Sequence, residues 1–358
     1  MSTRPRLTFD ERGWCSACQW MEEKKTLNWE NRLNELERLL DKYRSINGGF
    51  DCIVPVSGGK DGSYVAYRLK HDYGMNPLTV TSRPPLTLEV GDRSLNNFVS
   101  SGYDHIHVTA NSKAMQLLNK VGFIEKGSPY YGWLISIFSV VIRVALQFNI
   151  SLIFYGEDGE VEYGGSKENK NKALFDIEYI VRAYFEAGYD KILKASNLDE
   201  SSLYWFKIPD QNKLNKAKIF LTHWGYFESW DPYRNYLVAK EHCGLEESKI
   251  GNSGTFTNFA QNDQALFALH TYLMYLKFGF GRATQDAGIE IRRGAMTREQ
   301  AVNLVRLYDG QYPHEFLEIY LDYYQMSRAE FDTALDRWAN QELFEKFDGY
   351  WKPMFNVV

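Results

Sequence analysis

The sequence predicts an α/β fold in which a parallel sheet with flanking helices precedes a helical C-terminal extension. Short, β-prone apolar segments alternate with stretches of helical periodicity between residues 50 and 155, and this alternation is typical of a parallel sheet. The first segment is followed at once by a glycine-containing loop and a helix. Beyond residue 166 the sequence is first lysine-rich and then aromatic, with mostly helical patterns.

The elements follow in order from these patterns. A cysteine-containing turn is predicted to precede a helix over residues 27–45, where Leu33, Leu36, Leu39 and Leu40 share one face. The α/β part has predicted strands at 50–56, 77–82, 105–109 and 151–155, and predicted helices at 64–73, 95–101, 112–121 and 133–148. The C-terminal helices are predicted at 236–241, 263–278, 297–308, 313–323 and 327–342.

Composition limits the function classes. The 358 residues, 44% hydrophobic and 24% charged, describe an ordinary folded protein with a large core. A net charge of -5 disfavours a broad phosphate-neutralising surface, so no nucleic-acid partner is expected.

Several features predict a cytoplasmic protein without a membrane partner. Residues 1–7 lack the apolar core of a signal peptide. The apolar run 133–148 is short for a bilayer span and contains Arg143, so a buried helix is predicted there. Four cysteines are too few for a disulfide framework in a chain of this size, which fits a reducing compartment.

The loop between the first strand and its helix has the chemistry of an anion site. This glycine loop reads Val56-Ser57-Gly58-Gly59-Lys60-Asp61-Gly62-Ser63. Backbone N–H groups and a helix N-terminus converge there, the glycines let backbone approach oxygen atoms closely, and Lys60 adds a positive charge. The spacing is neither the Walker nor the Rossmann pattern. A phosphate-binding loop is predicted, the alternative being a tight turn of small residues.

The glycine loop resembles the signature of the PP-loop ATP pyrophosphatase superfamily, Ser-Gly-Gly-x-Asp-Ser after the first strand. Gly62 stands where the signature serine usually stands, and Ser63 follows one position later. The resemblance implies an adenine nucleotide alpha-hydrolase-like fold that cleaves ATP between its α and β phosphates. It also implies Mg²⁺, for which Asp61 is a candidate ligand because hard cations prefer carboxylate oxygen.

A wider resemblance covers the chain from about residue 3 to 310. The segments LTFDERGWCSAC, DCIVPVSGGKDGSYVAYRLK, IFYGEDGEVEYGG and TYLMYLKFGFGRATQDAGIEIRRGAMTREQAV are similar to the N-acetyl sugar amidotransferases of surface-polysaccharide synthesis. This resemblance implies conversion of an acetamido group on a nucleotide-linked sugar to an acetamidino group, by way of an adenylated amide oxygen and ammonia, in routes such as LPS O-antigen biosynthesis.

Residues 1–48 would be a lead-in, 49–170 the PP-loop ATP-binding domain and 171–358 a mainly helical substrate-side region.

The site residues are predicted from their positions in the expected fold and from the family resemblance. Gly156-Glu157 follows the last predicted strand, at the carboxyl edge where open parallel sheets bind ligands. Glu157 would hold Mg²⁺ or orient ammonia, the alternative being a solvated loop acid. Thr81 and Ser82 end the second strand, where the family holds adenine through backbone groups. The predicted catalytic residues are Lys60, Asp61 and Glu157. The predicted ATP-binding residues are Val56, Ser57, Gly58, Gly59, Lys60, Asp61, Gly62, Ser63, Thr81, Ser82 and Gly156.

Four cations near Gly279 and Gly281 are predicted to bind the diphosphate of a nucleotide sugar, because Arg and Lys near glycines suit phosphate oxygens. They are Lys277, Arg282, Arg292 and Arg293. The alternative is a solvated helix end.

Cys15-x-x-Cys18 has the spacing of zinc ligands, but a closed site needs four. His242 and Cys243 would complete it only if the fold brought them near, and the alternative is a pair of ordinary thiols. His270, among leucines of a predicted helix, is interpreted as a core histidine.

The source of ammonia is predicted to lie outside the chain. Cys52 falls within a predicted strand and Cys243 lacks the exposed context of a nucleophile, so a glutaminase site is not indicated. The family implies a separate glutaminase with a cyclase-like partner. Two alternatives remain: another PP-loop enzyme such as a tRNA thiolase, which should show a basic RNA face, or a non-catalytic adenine-nucleotide-binding module.

Overall fold

Five parallel strands form the central sheet of the computed structural model, which describes residues 3–185 and 188–358. The strands are β1 (Cys52–Pro55), β2 (Pro77–Ser82), β3 (His105–Val108), β4 (Leu152–Tyr155) and β5 (Phe220–His223). Their spatial order is β3-β2-β1-β4-β5, so the chain builds one side of the sheet from β1 and then crosses to the other. The crossover leaves a crevice beyond the carboxyl ends of β1 and β4, the usual ligand position in such sheets.

Helices cover the sheet and make up most of the C-terminal region. Up to residue 170 they are α1 (Ser16–Lys24), α2 (Trp29–Tyr43), α3 (Lys60–Tyr67), α4 (Glu89–Ser100), α5 (Ser112–Lys126), α6 (Tyr131–Phe148) and α7 (Gly159–Glu162). Later helices are α8 (Ile177–Tyr184), α9 (Asp190–Ala195), α10 (Gln211–Ala217), α11 (Trp224–Phe227), α12 (Pro232–Cys243), α13 (Leu266–Phe278), α14 (Arg282–Arg293), α15 (Arg298–Tyr308), α16 (Leu317–Tyr324) and α17 (Arg328–Trp338). An antiparallel hairpin follows, β6 (Phe344–Phe347) and β7 (Tyr350–Pro353).

Both faces of the sheet are buried, which explains the continuous apolar runs in its strands. In β1, Ile53 packs into the core cluster that contains α6, whereas Cys52 and Val54 pack into the cluster that contains α2 and α3. Alternate residues of a strand point to opposite faces. Burying one such aliphatic side chain contributes roughly 1.5–3 kcal/mol, so this double-sided core fixes the position of the loop that follows β1.

Helix α6 is the one helix of the described residues that is long and apolar enough to cross a membrane. Most of its residues are buried inside the protein. Arg143 donates a hydrogen bond to the Lys207 carbonyl at 2.9 Å, and its guanidinium carbon lies 3.9 Å from the centre of the Tyr204 ring. This burial is typical of the core helix of a folded domain.

The predicted fold class is confirmed, with differences in individual elements. The helix expected at 64–73 begins at Lys60, inside the glycine loop, and the helix expected at 95–101 begins at Glu89. Glu89 and Asp92 lie in the first turn of α4, where acidic residues stabilise a helix N-terminus. The predicted turn around the cysteine pair is helix α1. Four strands come from residues 49–170, whereas the fifth, β5, comes from residues 220–223.

Candidate active site

A cavity of about 460 Å³ lies beside the carboxyl ends of β1, β2 and β4. We call it the glycine-loop cavity, because residues 55–62 form one wall of it. The strand ends contribute a second wall that includes Thr81, Ser82 and Glu157. A third wall comes from the C-terminal region, with Phe259, Gln261, Asn262, Asp263, Phe267 and Arg282 among its residues.

Two glycines let the loop take its shape. Gly58 has φ +78°, and a Cβ there would lie 2.4 Å from the backbone nitrogen of Leu95 in α4. A Cβ on Gly62 would lie 2.5 Å from the Pro55 carbonyl oxygen. The loop is therefore wedged between α4 and the end of β1, with no room for side chains at either position. The absence of the signature serine at position 62 is consistent with this close packing.

The loop ends in a free helix N-terminus. Gly59 is the N-cap of α3, and among the described residues no side chain caps it. The first N–H groups of a helix have no intrahelical partner, and the helix dipole adds partial positive charge. Together with Lys60, this end of α3 has the chemistry to hold phosphate oxygens.

Lys60 and Asp61 form a buried ion pair that later parts of the chain hold in place. Lys60 Nζ donates a hydrogen bond to Asp61 Oδ2. Asp61 Oδ1 accepts hydrogen bonds from Trp230 Nε1 at 2.9 Å and from Asn235 Nδ2 at 2.8 Å. Burial opposes ionisation of Asp61, but Lys60 and these donors outweigh it and keep the pKa of the carboxyl below its usual range. Asp61 is thus an ionised, oriented carboxylate.

Glu157 faces the same cavity from the end of β4. Gly156 permits its position, because a Cβ on Gly156 would lie 2.7 Å from Asp61 Cβ. Burial, with a further contribution from the Asp61 carboxylate, raises the pKa of Glu157 to about 8. The Glu157 carboxyl would ionise fully if a divalent cation bound at this wall of the cavity, because the cation would offset the Asp61 charge. Asp61 and Glu157 therefore fit a Mg²⁺ site by donor chemistry.

The other predicted ATP-binding residues divide into two groups. Thr81 and Ser82 line the cavity, but Thr81 Oγ1 donates to the Val56 carbonyl, and Ser82 Oγ pairs with Ser136 Oγ at 2.7 Å. Beside them, Trp133 and Phe267 offer an aromatic wall. Ser63 is fully buried and does not line the cavity, and its hydroxyl has no partner among the described residues.

The four predicted substrate-binding cations do not gather in one place. Arg282 lines the glycine-loop cavity, pairs with Asp286 at 2.8 Å and lies 5.8 Å from the centre of the Tyr163 ring. Lys277 lines a different cavity and donates to the Lys126 carbonyl at 3.0 Å. The remaining two point elsewhere: Arg292 lines an apolar groove of about 920 Å³ with the cysteine pair, and Arg293 pairs with Glu290 and Asp231.

The C-terminal wall of the cavity lies in a segment with a family match. Residues 253–357 match the family model described as LPS biosynthesis protein WbpG-like, C-terminal domain. This chain therefore has a WbpG-like C-terminal segment, which supports a role in LPS biosynthesis. No curated protein matches the chain. Asp263 and Arg282 belong to the WbpG-like segment, so it helps to build the same cavity as the glycine loop.

Close backbone contacts join the WbpG-like segment to the loop through α4. A Cβ on Gly91 of α4 would lie 2.4 Å from Asp263 Cα, and the Leu88 N–H donates to the Asp263 carbonyl at 3.1 Å. The backbone of Leu95, one turn further along α4, packs against Gly58. Burial raises the pKa of the Asp263 carboxyl to about 7.

Sequence reasoning missed Trp230, Asn235, Asn262 and Asp263. The first two hold Asp61 although they lie about 170 positions away, and no local pattern signals such a contact. The available signal for the other two was the run Asn258 to Gln264, which is rich in amide and acid side chains and includes the start of the helix predicted at 263–278.

The cysteine pair lies away from this site. Cys15 and Cys18 have Sγ atoms 3.6 Å apart beside the apolar groove, whereas Cys243 is buried against Ser63. In the described parts of the chain no group of three or more His, Cys, Asp and Glu comes together to hold a metal ion. Cys243 and His242 thus do not complete a zinc site, and zinc binding at Cys15 and Cys18 stays a prediction.

Cys15 is expected to be the most reactive thiol of the protein. The hydrogen bond with Cys18 lowers the pKa of Cys15 to about 5, despite partial burial, whereas Cys52 and Cys243 are buried. Its alkylation by iodoacetamide should stay nearly constant as the pH falls from about 8 to about 6, because the thiolate is the reactive form. A rate that dropped about tenfold per pH unit over that range would contradict this prediction. Cys15→Ser provides the baseline.

Glu157→Gln is expected to stabilise the metal-free protein at high pH. Its pKa in the fold, about 8, lies above the ordinary value of 4.5, so the fold loses stability as the pH rises from about 4.5 to about 8. The variant removes that loss, and its Tm in EDTA should exceed that of the wild type at pH 8 but not at pH 4.5. Glu345→Gln, at an exposed position, is the matched control. An equal Tm at pH 8 would show that burial of Glu157 carries no such cost.

Proposed function

We propose that this protein is an ATP-dependent amidotransferase that converts the acetamido group of a nucleotide-linked sugar to an acetamidino group during LPS biosynthesis. One observation supports this most strongly: the WbpG-like segment and the glycine loop wall a single cavity. A module associated with LPS biosynthesis and a loop suited to nucleotide phosphates would then act on one bound pair of substrates. The proposed reaction itself is taken from the resemblance to N-acetyl sugar amidotransferases.

The reaction needs an activated amide because nitrogen donates into the carbonyl and makes it a poor electrophile. The amide oxygen of the sugar attacks the α-phosphorus of ATP, and pyrophosphate leaves. Ammonia then adds to the activated carbon, and AMP departs with the former amide oxygen. The product carries nitrogen where the substrate carried oxygen.

The residues of the glycine-loop cavity have roles in this scheme that follow from their chemistry. The N-terminus of α3 and Lys60 would bind the β and γ phosphates and stabilise the negative charge that develops on pyrophosphate. Trp133 and Phe267, next to Thr81 and Ser82, would enclose the adenine. Arg282 would stabilise negative charge on the opposite wall.

Asp61 and Glu157 would hold Mg²⁺, which neutralises phosphate charge when bound. Trp230 and Asn235 fix the Asp61 carboxylate, so its orientation does not depend on the ligand. These four residues come from the loop after β4, the start of α3, the segment just before α12 and the first turn of α12. Their assembly requires the complete fold.

Ammonia would come from a separate glutaminase and its cyclase-like partner. We expect the isolated chain to work with ammonium and not with glutamine. Product formation from glutamine by the pure chain would contradict this part of the proposal.

Mass spectrometry of the purified protein with ATP, Mg²⁺, ammonium and a panel of UDP- and CMP-linked acetamido sugars tests the proposal. We expect a product in which one oxygen is replaced by NH, together with AMP and pyrophosphate in equal amounts. AMP formed without such a product would keep the ATP chemistry and remove the sugar assignment. Absence of AMP with every sugar, even with the ammonia-supplying partner added, would favour a nucleotide-binding module.

A further inference from the structure

A second cavity, of about 260 Å³, lies beside the glycine-loop cavity and is strongly basic. Three separate stretches of the chain supply its cations: the N-terminal segment, the end of α5 and the end of α13. They are Arg4, Arg6, Lys126 and Lys277. Glu160 is the one carboxylate among the residues that line it, and His270 is held neutral because burial lowers its pKa to about 3. We call this the basic cavity.

Glu160 fixes two of these cations without cancelling the charge of the cavity. Its carboxylate lies 2.9 Å from an Arg6 nitrogen and 3.6 Å from an Arg4 nitrogen. It also accepts a hydrogen bond from the Ser166 N–H at 2.8 Å. One carboxylate thus orients two guanidinium groups, and the lysines add further positive charge. Such an arrangement is suited to a phosphate group, for which preorganised arginines are the preferred partners.

The basic cavity also has apolar walls. Leu134, Phe185, Met274, Phe278 and Phe280 line it. A ligand that combines a phosphate with rings would find both kinds of contact here, as small-molecule sites usually provide.

The two cavities are neighbours across one aromatic ring. Tyr163 lines the glycine-loop cavity, and its ring has the Arg4 guanidinium 5.8 Å from its centre. The Arg282 guanidinium lies at the same distance from that ring. Arg4 lines the basic cavity and Arg282 lines the glycine-loop cavity. A ligand anchored among the cations of the basic cavity would therefore reach the glycine-loop cavity by passing Tyr163.

We propose that the basic cavity binds the phosphate of the nucleotide-linked sugar and so directs the acetamido group past Tyr163 into the glycine-loop cavity. This inference rests on the proposed function for the identity of the ligand. It assigns Lys277 its predicted partner, a sugar-nucleotide phosphate, but together with Arg4, Arg6 and Lys126 and not with Arg292 and Arg293.

Equilibrium dialysis with radiolabelled UDP and CMP, in the presence of saturating AMP, tests the site without turnover. We expect at least one of the two nucleotides to bind the wild-type protein. Arg6→Met and Lys126→Met should each weaken that binding about tenfold, the effect of losing one charge-assisted contact of about 1.4 kcal/mol. Arg12→Met removes an equal charge from an exposed side chain of the same N-terminal segment and should leave Kd unchanged.

The outcomes separate this inference from the proposed reaction. If neither nucleotide binds, or if both variants bind as tightly as the Arg12→Met control, the basic cavity is not the phosphate site. The inference also fails if the variants weaken AMP binding and not UDP or CMP binding. Binding that depends on Arg6 and Lys126, in a protein that forms no acetamidino sugar, would uphold the site and overturn the reaction. Unchanged Tm values for the variants exclude misfolding as the cause of weaker binding.

Discussion

Replacing Lys60 with methionine is expected to lower kcat/KM for pyrophosphate release by roughly 10²–10³-fold, the usual cost of removing one preorganised charge donor from a transition state. Lys60 is the cation at the start of α3, and its ammonium group pairs with Asp61 inside the glycine-loop cavity. Methionine keeps most of the side-chain volume and removes the charge. Release of pyrophosphate, measured by a coupled phosphate assay with the sugar substrate present, provides the rate.

Lys113→Met is the matched control, because Lys113 is exposed on α5 and lies outside the glycine-loop cavity. It should retain wild-type activity. A Lys60→Met enzyme with activity within about threefold of the control would remove Lys60 from the mechanism. Comparison of Tm for the two variants distinguishes lost chemistry from lost folding.

Gly58→Ala is expected to destabilise the fold by about 3 kcal/mol or more and to abolish ATP binding. Two costs add: the φ of +78° is unfavourable for a residue with a Cβ, and that Cβ would lie 2.4 Å from the Leu95 backbone nitrogen. Because α4 also contacts the WbpG-like segment through Gly91, displacement of α4 should disturb both walls of the cavity. Urea unfolding and ATP binding are the measurements.

Gly74→Ala isolates the conformational part of this cost. Gly74 has φ +60°, but a Cβ there meets no atom within 4 Å. Its expected cost is about 1–2 kcal/mol, with ATP binding retained. Equal destabilisation by the two substitutions would mean that the contact between the loop and α4 can accommodate an added methyl group.

The sequence predicted the first four strands and the glycine loop because local signals specify them. Cys52 to Val54 of β1 are a continuous buried run, and the loop after it contains Gly58, whose φ of +78° glycine adopts readily. β5 was missed because Phe220–His223 follows a polar stretch, Gln211–Ala217, that is helical, and lies beyond the alternating strands and helices of residues 50–155. Its burial comes from pairing with β4, which is a tertiary contact.

The site was predicted less completely than the fold, for a geometric reason. Arg282 is the first residue of α14, and Arg292 and Arg293 are its last. Ten residues of helix extend about 15 Å, so cations that are close in sequence end at opposite ends of one element. Lys277 shares a cavity with Arg4 and Arg6, from the far end of the chain. Which cations lie close together in space depends on the topology of the whole chain, and local sequence patterns do not contain that information.

In the proposed reaction, the amide oxygen of the sugar becomes adenylated at the glycine-loop cavity. A substrate labelled with ¹⁸O in the acetamido carbonyl, incubated with unlabelled ATP and ammonium, tests it most directly. Adenylation of the amide oxygen would put one ¹⁸O atom in each AMP, read by mass spectrometry, and none in pyrophosphate. Unlabelled AMP, or ¹⁸O in inorganic phosphate with formation of ADP, would contradict it.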